Sequence, residues 1–200
     1  MKSIKKILLF TLLILGSPLT THAAQDAVVI FETSAGRFEV TVFPDKAPLT
    51  ASNFLNLVDQ GHYNGTIFHR VIRNFMIQGG GLNTEMQKIG GVMPIQNEAD
   101  NGLQNRKGTI AMARTGEPHS ATDQFFINTK DNTSLDHTGK TVRGWGYTVF
   151  GNVSKGMDVV MRIENSPTTT KMGRRDVPEK IVEIIKVVRK QPAPKQAVGR

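Results

Sequence analysis

The chain has 200 residues, which is the size of one ordinary domain with a substantial core. Hydrophobic residues make up 38% and charged residues 21%, and this balance argues against a membrane bundle and a disordered chain. There is no cysteine, so disulfides, thiolate metal sites and cysteine nucleophiles are excluded, and much of the net charge of +8 lies at the two ends.

The first 23 residues have the pattern of a secretory signal peptide. Lys2, Lys5 and Lys6 precede the apolar run 7–15, and small residues around Ala23 mark a cleavage site. The alternative is a membrane anchor, but an anchor needs about 18 or more apolar residues and this run is shorter. We therefore predict cleavage after Ala23, export to the periplasm and no stable membrane anchor afterwards. The signal alone leaves an extracellular destination open.

A hairpin is predicted at the start of the mature chain. Residues 28–33 are rich in β-branched and aromatic side chains, and a turn with glycine follows them. Residues 37–42 alternate strictly, which predicts a strand with Phe38, Val40 and Val42 on one face.

A helix is predicted next, from Pro48 to Gln60. Its apolar residues recur at i, i+3, i+4 and i+7, the period of one helix face. Proline at its start and Gly61 just beyond its end are typical of helix boundaries.

The later elements are short and separated by glycines. Strand-like segments are predicted at 66–72, 75–78, 109–113, 124–128 and 147–153. A second, shorter helix is predicted after Gly156. Residues 181–188 fit both periods, but their valine and isoleucine content favours a strand. Many short strands with two helices indicate an antiparallel sheet closed into a barrel or sandwich.

Several patterns that could carry chemistry are incomplete. The runs Gly79–Gly81 and Gly90–Gly91 lack the residues of a phosphate loop, and the five histidines lack zinc-ligand spacing. His119, Ser120 and Asp123 are triad residue types without the glycines of a nucleophile elbow. We therefore expect no metal and no cofactor.

Arg70, unlike these incomplete patterns, has a predicted environment that calls for a partner or a ligand. In a strand it shares a face with Phe68 and Ile72, and an arginine among apolar residues is costly unless it has partners or a ligand. Taken alone, the residues favour a structural arginine held by a carboxylate such as Glu98 or Asp123 over a ligand site.

The stretch from Phe68 to Gly80 resembles the signature of the cyclophilins, the peptidyl-prolyl cis/trans isomerases. Similar blocks follow in family order at 108–114, 120–127, 135–136 and 147–151, and residues 97–103 are similar to the exported bacterial branch. The resemblance covers about residues 28–188. It implies a mainly β fold, a closed eight-stranded antiparallel barrel capped by two α-helices, and it favours a strand at 181–188.

The resemblance also implies a function: isomerisation of X–Pro bonds in unfolded or partly folded exported client proteins. Arg70 matches the catalytic arginine, and Gln78 is assigned to the catalytic site with it. The matching substrate-binding positions are Phe75, Met76, Ala113, Phe126, Leu135 and Tyr147. Asn128 is a further candidate for peptide contact.

Two departures from the family pattern bear on ligands. Ser134 stands where many members have tryptophan before the pocket leucine, so we expect weak cyclosporin binding. The loop 137–146 is longer than in compact members and carries Trp145, which we expect to pack on the barrel.

Three segments are therefore predicted: a cleaved signal peptide at 1–23, an isomerase domain at 24–189 and a basic disordered tail at 190–200.

A peptide-binding chaperone or scaffold with incidental turnover is the alternative function. Nucleic-acid binding through the tail is disfavoured because the rest of the mature chain is nearly neutral. We expect a monomer.

Overall fold

A computed structural model describes residues 26–191. The predicted signal peptide and nearly all of the predicted basic tail lie outside the described residues. In chain order the strands are β1 (Ala27–Thr33), β2 (Gly36–Val42), β3 (Thr66–Ile72), β4 (Met76–Asn83), β5 (Thr109–Met112), β6 (Phe125–Asn128), β7 (Val149–Lys155), β8 (Thr168–Lys171), β9 (Arg174–Pro178) and β10 (Glu183–Arg189). The helices are α1 (Pro48–Asp59) and α2 (Met157–Glu164), with a short 3-10 helix at Thr133–Leu135.

Eight of the strands close into an antiparallel barrel in the order β1-β10-β3-β4-β6-β5-β7-β2. The remaining pair, β8 and β9, forms a separate two-stranded sheet. The predicted eight-stranded barrel with two helices is therefore confirmed, and residues 183–189 are a strand, as their composition indicated.

The strict alternation in β2 has the predicted result. Phe38, Val40 and Val42 are buried inside the barrel, and Phe38 lies opposite Phe31 of β1 with the ring centroids 4.7 Å apart. The aromatic residues that fill the interior are Phe31, Phe38, Phe54, Tyr63, Phe68, Phe125 and Phe150.

Helix α1 begins at Pro48, as predicted, and ends at Asp59, one residue before the predicted end. Pro48 occupies its first turn, and Ala51, Phe54, Leu55 and Val58 form the face buried against the barrel. Ala47, which precedes the helix, offers no capping side chain.

The prediction that Phe68 shares a face with Arg70 is wrong. Phe68 pairs with Gly79 and Arg70 pairs with Gln78, so β3 advances two residues where β4 advances one. Strand β3 therefore contains a β-bulge. The extra residue turns Phe68 into the barrel core, while Arg70 and Ile72 point outward.

Several other strand bounds differ from the sequence prediction, most of them by one or two residues. Strand β4 continues to Asn83, and β7 begins at Val149 because the Tyr147 N–H donates to the Leu135 carbonyl at 3.0 Å instead. The β8–β9 hairpin was not predicted, since its residues are polar and mostly exposed. Over residues 26–191, the structure contains no helix that is long and apolar enough to span a membrane.

Candidate active site

The eight predicted site residues all line one open pocket of about 520 Å³ on the outside of the barrel. The period of two explains how neighbouring strands contribute to it. Ile77, Ile110 and Ile127 point into the core, so their neighbours along β4, β5 and β6 point outward. The outward neighbours that reach the pocket include Met76, Gln78 and Phe126. The cyclophilin-like positions therefore share one surface.

Arg70 lies at the polar side of this pocket and is exposed. Its Nη1 donates to Gln78 Oε1 at 3.4 Å, and Gln78 Nε2 donates to Gln124 Oε1 at 3.0 Å. Gln124 reaches this position because Gly81 has no side chain, and a Cβ there would overlap it. The three side chains form one chain of hydrogen bonds that orients the guanidinium across the strands.

The carboxylate alternative for Arg70 is wrong. Glu98 accepts hydrogen bonds from the Leu49 and Thr50 amides, and Asp123 pairs with His62 Nε2 at 3.1 Å. Within residues 26–191 no carboxylate lies within 4.0 Å of the Arg70 guanidinium nitrogens. The charge is therefore free to act on a ligand.

The other side of the pocket is apolar. Met76 and Phe126 are only 2% and 4% exposed, and they form a small cluster distinct from the barrel core. Tyr147 packs edge-on against Phe126 with the centroids 5.6 Å apart, and the Arg114 guanidinium lies 4.7 Å above the Tyr147 ring. Phe75, Leu135 and Ala113 complete this side of the pocket, which we call the apolar slot.

Buried amides hold the two loops that carry Phe75 and Leu135. Asn132 Nδ2 donates to the Phe75 carbonyl and to Asn128 Oδ1, both at 2.7 Å. Asn128 Nδ2 donates to Asn105 Oδ1 at 3.2 Å, and Asn105 Nδ2 donates to the Leu135 carbonyl at 3.1 Å. Asn128 is fully buried in this network, so its prediction as a peptide contact is wrong.

Helix α2 also supports the Phe75 loop. Asn74 adopts a left-handed conformation with φ 55, and its N–H donates to Glu164 Oε1 at 2.8 Å. Glu164 is 3% exposed, so its carboxylate depends on partners within the fold. The helix thereby fixes the turn that presents Phe75.

Sequence reasoning missed several residues that line the same pocket. They are His69, Arg114, Gln124 and the hairpin residues 173–176. Gln124 directly precedes the Phe125–Phe126 block, which was the available signal. Nothing in the polar hairpin sequence predicted that it would line this pocket, which we also call the groove.

His69 is 6% exposed, and its Nδ1 has no hydrogen-bond partner in the described part of the chain. The pKa of His69 is lowered to about 4, chiefly by burial and further by the positive charges of Arg174 and Arg70. The ring is therefore neutral near pH 7.

The remaining candidates lie elsewhere. His119 Nδ1 accepts the Asn97 N–H at 3.1 Å and Ser120 Oγ donates to the Glu117 carbonyl, so with Asp123 bound to His62 no triad forms. Trp145 is 9% exposed and packs edge-on against His119 and His137, two residues of neighbouring loops, so its ring contacts loops where the sequence predicted packing on the barrel.

No group of three potential metal-ligating side chains occurs among the described residues. Ser134 is exposed beside Leu135, so weak cyclosporin binding stays a prediction, to be checked by an inhibition titration. The site thus combines an apolar slot, which can hold a ring, with a charged donor beside it.

Comparisons with known proteins agree with this geometry. Residues 28–189 match the family model described as cyclophilin type peptidyl-prolyl cis-trans isomerase. The chain is 56% identical over 158 residues to a peptidyl-prolyl cis-trans isomerase of Streptomyces antibioticus, covering 79% of this chain and 95% of that protein. It is 51% identical over 157 residues to peptidyl-prolyl cis-trans isomerase B of Escherichia coli, covering 78% and 96%.

Solved structures give the same result. A cyclophilin type isomerase of Cryptosporidium parvum matches with a TM-score of 0.69 at 26% identity, covering 84% of this chain and 100% of that one. The same protein in the presence of the dipeptide Ala-Pro matches with a TM-score of 0.67 at 26% identity, over the same 84% and 100%.

Proposed function

Because this chain belongs to the cyclophilin family and is a peptidyl-prolyl cis-trans isomerase, we propose that Arg70 drives the isomerisation in the groove described above. The observation that carries the proposal is a guanidinium with no carboxylate partner among residues 26–191, held by Gln78 at the edge of an apolar slot.

The reaction is rotation about one bond. Resonance must be lost as the X–Pro amide twists, and this gives a barrier of about 18–20 kcal/mol. The cis form is already populated at about 10–30% in unfolded peptides, so only the rate needs to change. No covalent bond breaks, and the protein has to stabilise only the twisted amide.

Arg70 stabilises that twisted form in the proposed mechanism. As the amide twists, the proline nitrogen becomes pyramidal and gains a lone pair that a guanidinium N–H can reach. The planar amide lacks this lone pair, so the hydrogen bond forms mainly in the transition state, which is the condition for catalysis. Gln78 keeps the guanidinium in place between turnovers.

The apolar slot supplies orientation. Phe75, Met76, Phe126 and Leu135 hold the proline ring while the residue before it rotates, and Ala113 and Tyr147 contact the adjoining chain. A charged hydrogen bond contributes about 1.5–3 kcal/mol, equivalent to about ten- to a hundredfold in rate. Positioning in a poorly hydrated groove must supply the rest.

We also propose that the clients are exported polypeptides. The support is the leader-like pattern of residues 1–23 and the similarity of residues 97–103 to exported bacterial members. The mature domain would span 24–189, followed by the basic tail 190–200, and it would act in the periplasm as a monomer.

The test is NMR exchange between the cis and trans forms of a short Ala-Pro peptide with catalytic amounts of residues 24–200. Arg70→Ala should lower kcat/KM by about ten- to a hundredfold, the value of the lost hydrogen bond. Arg70→Lys should recover little, because lysine lacks the planar guanidinium.

Arg73→Ala is the matched control, since Arg73 is also exposed but does not line the groove. It should retain the parent rate. An Arg70→Ala protein that is folded and as fast as the Arg73→Ala control would rule out the proposed role of Arg70. It would leave the apolar slot as the main source of catalysis.

A further inference from the structure

The β8–β9 hairpin carries a cluster of cations that the proposed reaction does not use. We call residues 171–175 the basic tip. Lys171 and Arg174 lie directly opposite each other across the hairpin, and Arg175 follows on β9. All three are exposed, and within residues 26–191 none has a carboxylate partner within 4.0 Å.

The basic tip lies at the isomerase groove. Strand β9 packs against β3, which carries Arg70, and Gly173, Arg174 and Arg175 line the same pocket as Arg70. The charged residues of that lining are four arginines and one aspartate, namely Arg70, Arg114, Arg174, Arg175 and Asp176. The groove wall is therefore strongly positive.

Two of those arginines are already engaged. Arg114 donates to the Gly146 and Thr115 carbonyls and covers Tyr147, and Arg70 is assigned to the prolyl amide. Arg174 and Arg175 make no side-chain hydrogen bond to any described residue, so their donors are free for a ligand.

The hairpin has two locally unfavourable features. Like charges directly opposite in an antiparallel pair are destabilising, and Lys171 faces Arg174 in this way. Met172 in the turn has φ 49, a left-handed conformation that is uncommon for residues other than glycine, and its side chain is 73% exposed. Such features persist most often at functional sites.

We propose that the basic tip binds an acidic side chain of the client polypeptide close to its proline, so that the enzyme prefers prolines flanked by Asp or Glu. This rests on the proposed function, because it requires the client chain to lie in the groove beside Arg70. A polypeptide is favoured over an anionic membrane because the two arginines line a concave pocket together with the proline slot.

The preference is measured by NMR exchange with three short peptides that differ only in one residue flanking a central proline: Glu, Gln or Lys. The substitution is placed on either side of the proline in separate series. At low ionic strength we expect kcat/KM to be about three- to tenfold higher for Glu than for Lys in one series. The ratio should approach one in about 1 M salt, where charges are screened.

The double variant Arg174→Gln, Arg175→Gln should abolish the Glu-to-Lys ratio, and Arg174→Glu, Arg175→Glu should invert it. The matched control is Lys46→Gln, Lys186→Gln, which removes the same charge from exposed positions outside the groove. It should keep the parent ratio. If the control variant loses the Glu-to-Lys ratio to the same extent, the preference comes from the overall charge of the protein and the proposal is wrong.

The remaining outcomes are distinct. A Gln peptide that exchanges at the uncatalysed rate would contradict the proposed function itself. Catalysed exchange with equal kcat/KM for all three peptides would overturn only the acidic preference. If the double variant keeps the peptide ratio but no longer binds vesicles of anionic phospholipid, the basic tip is a membrane contact and the proposal is wrong.

Discussion

His69 shows how the groove is linked to folding stability. The ring is 6% exposed, and burial together with the nearby arginines lowers its pKa to about 4 from the ordinary value of 6.5. As pH falls below 6.5, the unfolded chain takes up a proton at this position and the folded chain does not. Acid therefore favours unfolding, and stability falls between pH 6.5 and pH 4.

We expect this residue to contribute about 3 kcal/mol to that loss of stability. The measurement is urea unfolding of the parent and of His69→Gln at several pH values across this interval. The variant has no titrating group at this position, so its free energy of unfolding should fall less steeply with decreasing pH than that of the parent protein. Equal slopes for the two proteins would mean that His69 titrates alike in the folded and unfolded chains.

The positions of the site residues could be predicted to different extents. Arg70 and Phe126 lie in sequence blocks that resemble a family, and the structure places both at the groove. Gln124 and His69 were missed, since their place at the groove depends on the bulge in β3 and on the absence of a side chain at Gly81. The local sequence around His69 does not show this geometry, whereas for Gln124 the adjoining Phe125–Phe126 block was a signal.

At the scale of the elements, helix α1 is capped by a residue distant in the chain. Ala47 has no capping side chain, and the helix has no acidic residue in its first turn. Glu98 fills both roles, since its carboxylate accepts from the Leu49 N–H at 3.0 Å, the Thr50 N–H at 2.8 Å and the Thr50 hydroxyl at 2.7 Å.

Glu98→Ala should therefore lower the free energy of unfolding by about 1–2 kcal/mol, because Thr50 is buried and would lose its acceptor. Chemical denaturation measures this, with Glu117→Ala as the control at an exposed glutamate whose carboxylate makes no hydrogen bond to the described residues. If both variants unfold alike, the distant cap does not stabilise α1.

The elements themselves were predictable where one face is buried. Strand β2 and helix α1 each bury a continuous apolar face, so the periods of two and 3.6 appear in the sequence. The β8–β9 hairpin buries little, since all four residues of β8 are exposed, and it therefore has no hydrophobic period. Its turn residues Met172 and Gly173 both have positive φ. A methionine in the sequence does not predict this conformation, so the turn could not be recognised.

At the scale of the whole molecule, the barrel begins almost where the predicted leader ends. Strand β1 starts at Ala27, only three residues after cleavage at Ala23, and it pairs with both β2 and β10. Expression of the full chain in a Gram-negative host should yield periplasmic protein beginning at Ala24, as judged by its intact mass. A chain of residues 24–200 should stay in the cytosol, and an uncleaved periplasmic or membrane-bound product would contradict the predicted signal peptide.

Closure of the barrel has a consequence for contacts with other extended chains. An open sheet offers unpaired amides and carbonyls onto which an extended segment of another chain can add as a further strand, the first step toward co-aggregation. Each of the eight barrel strands has a hydrogen-bonded neighbour on both sides, and the separate β8–β9 pair is only four and five residues long. Within residues 26–191 the barrel itself therefore has no open strand edge onto which a client segment could add, and only the short β8–β9 pair has one.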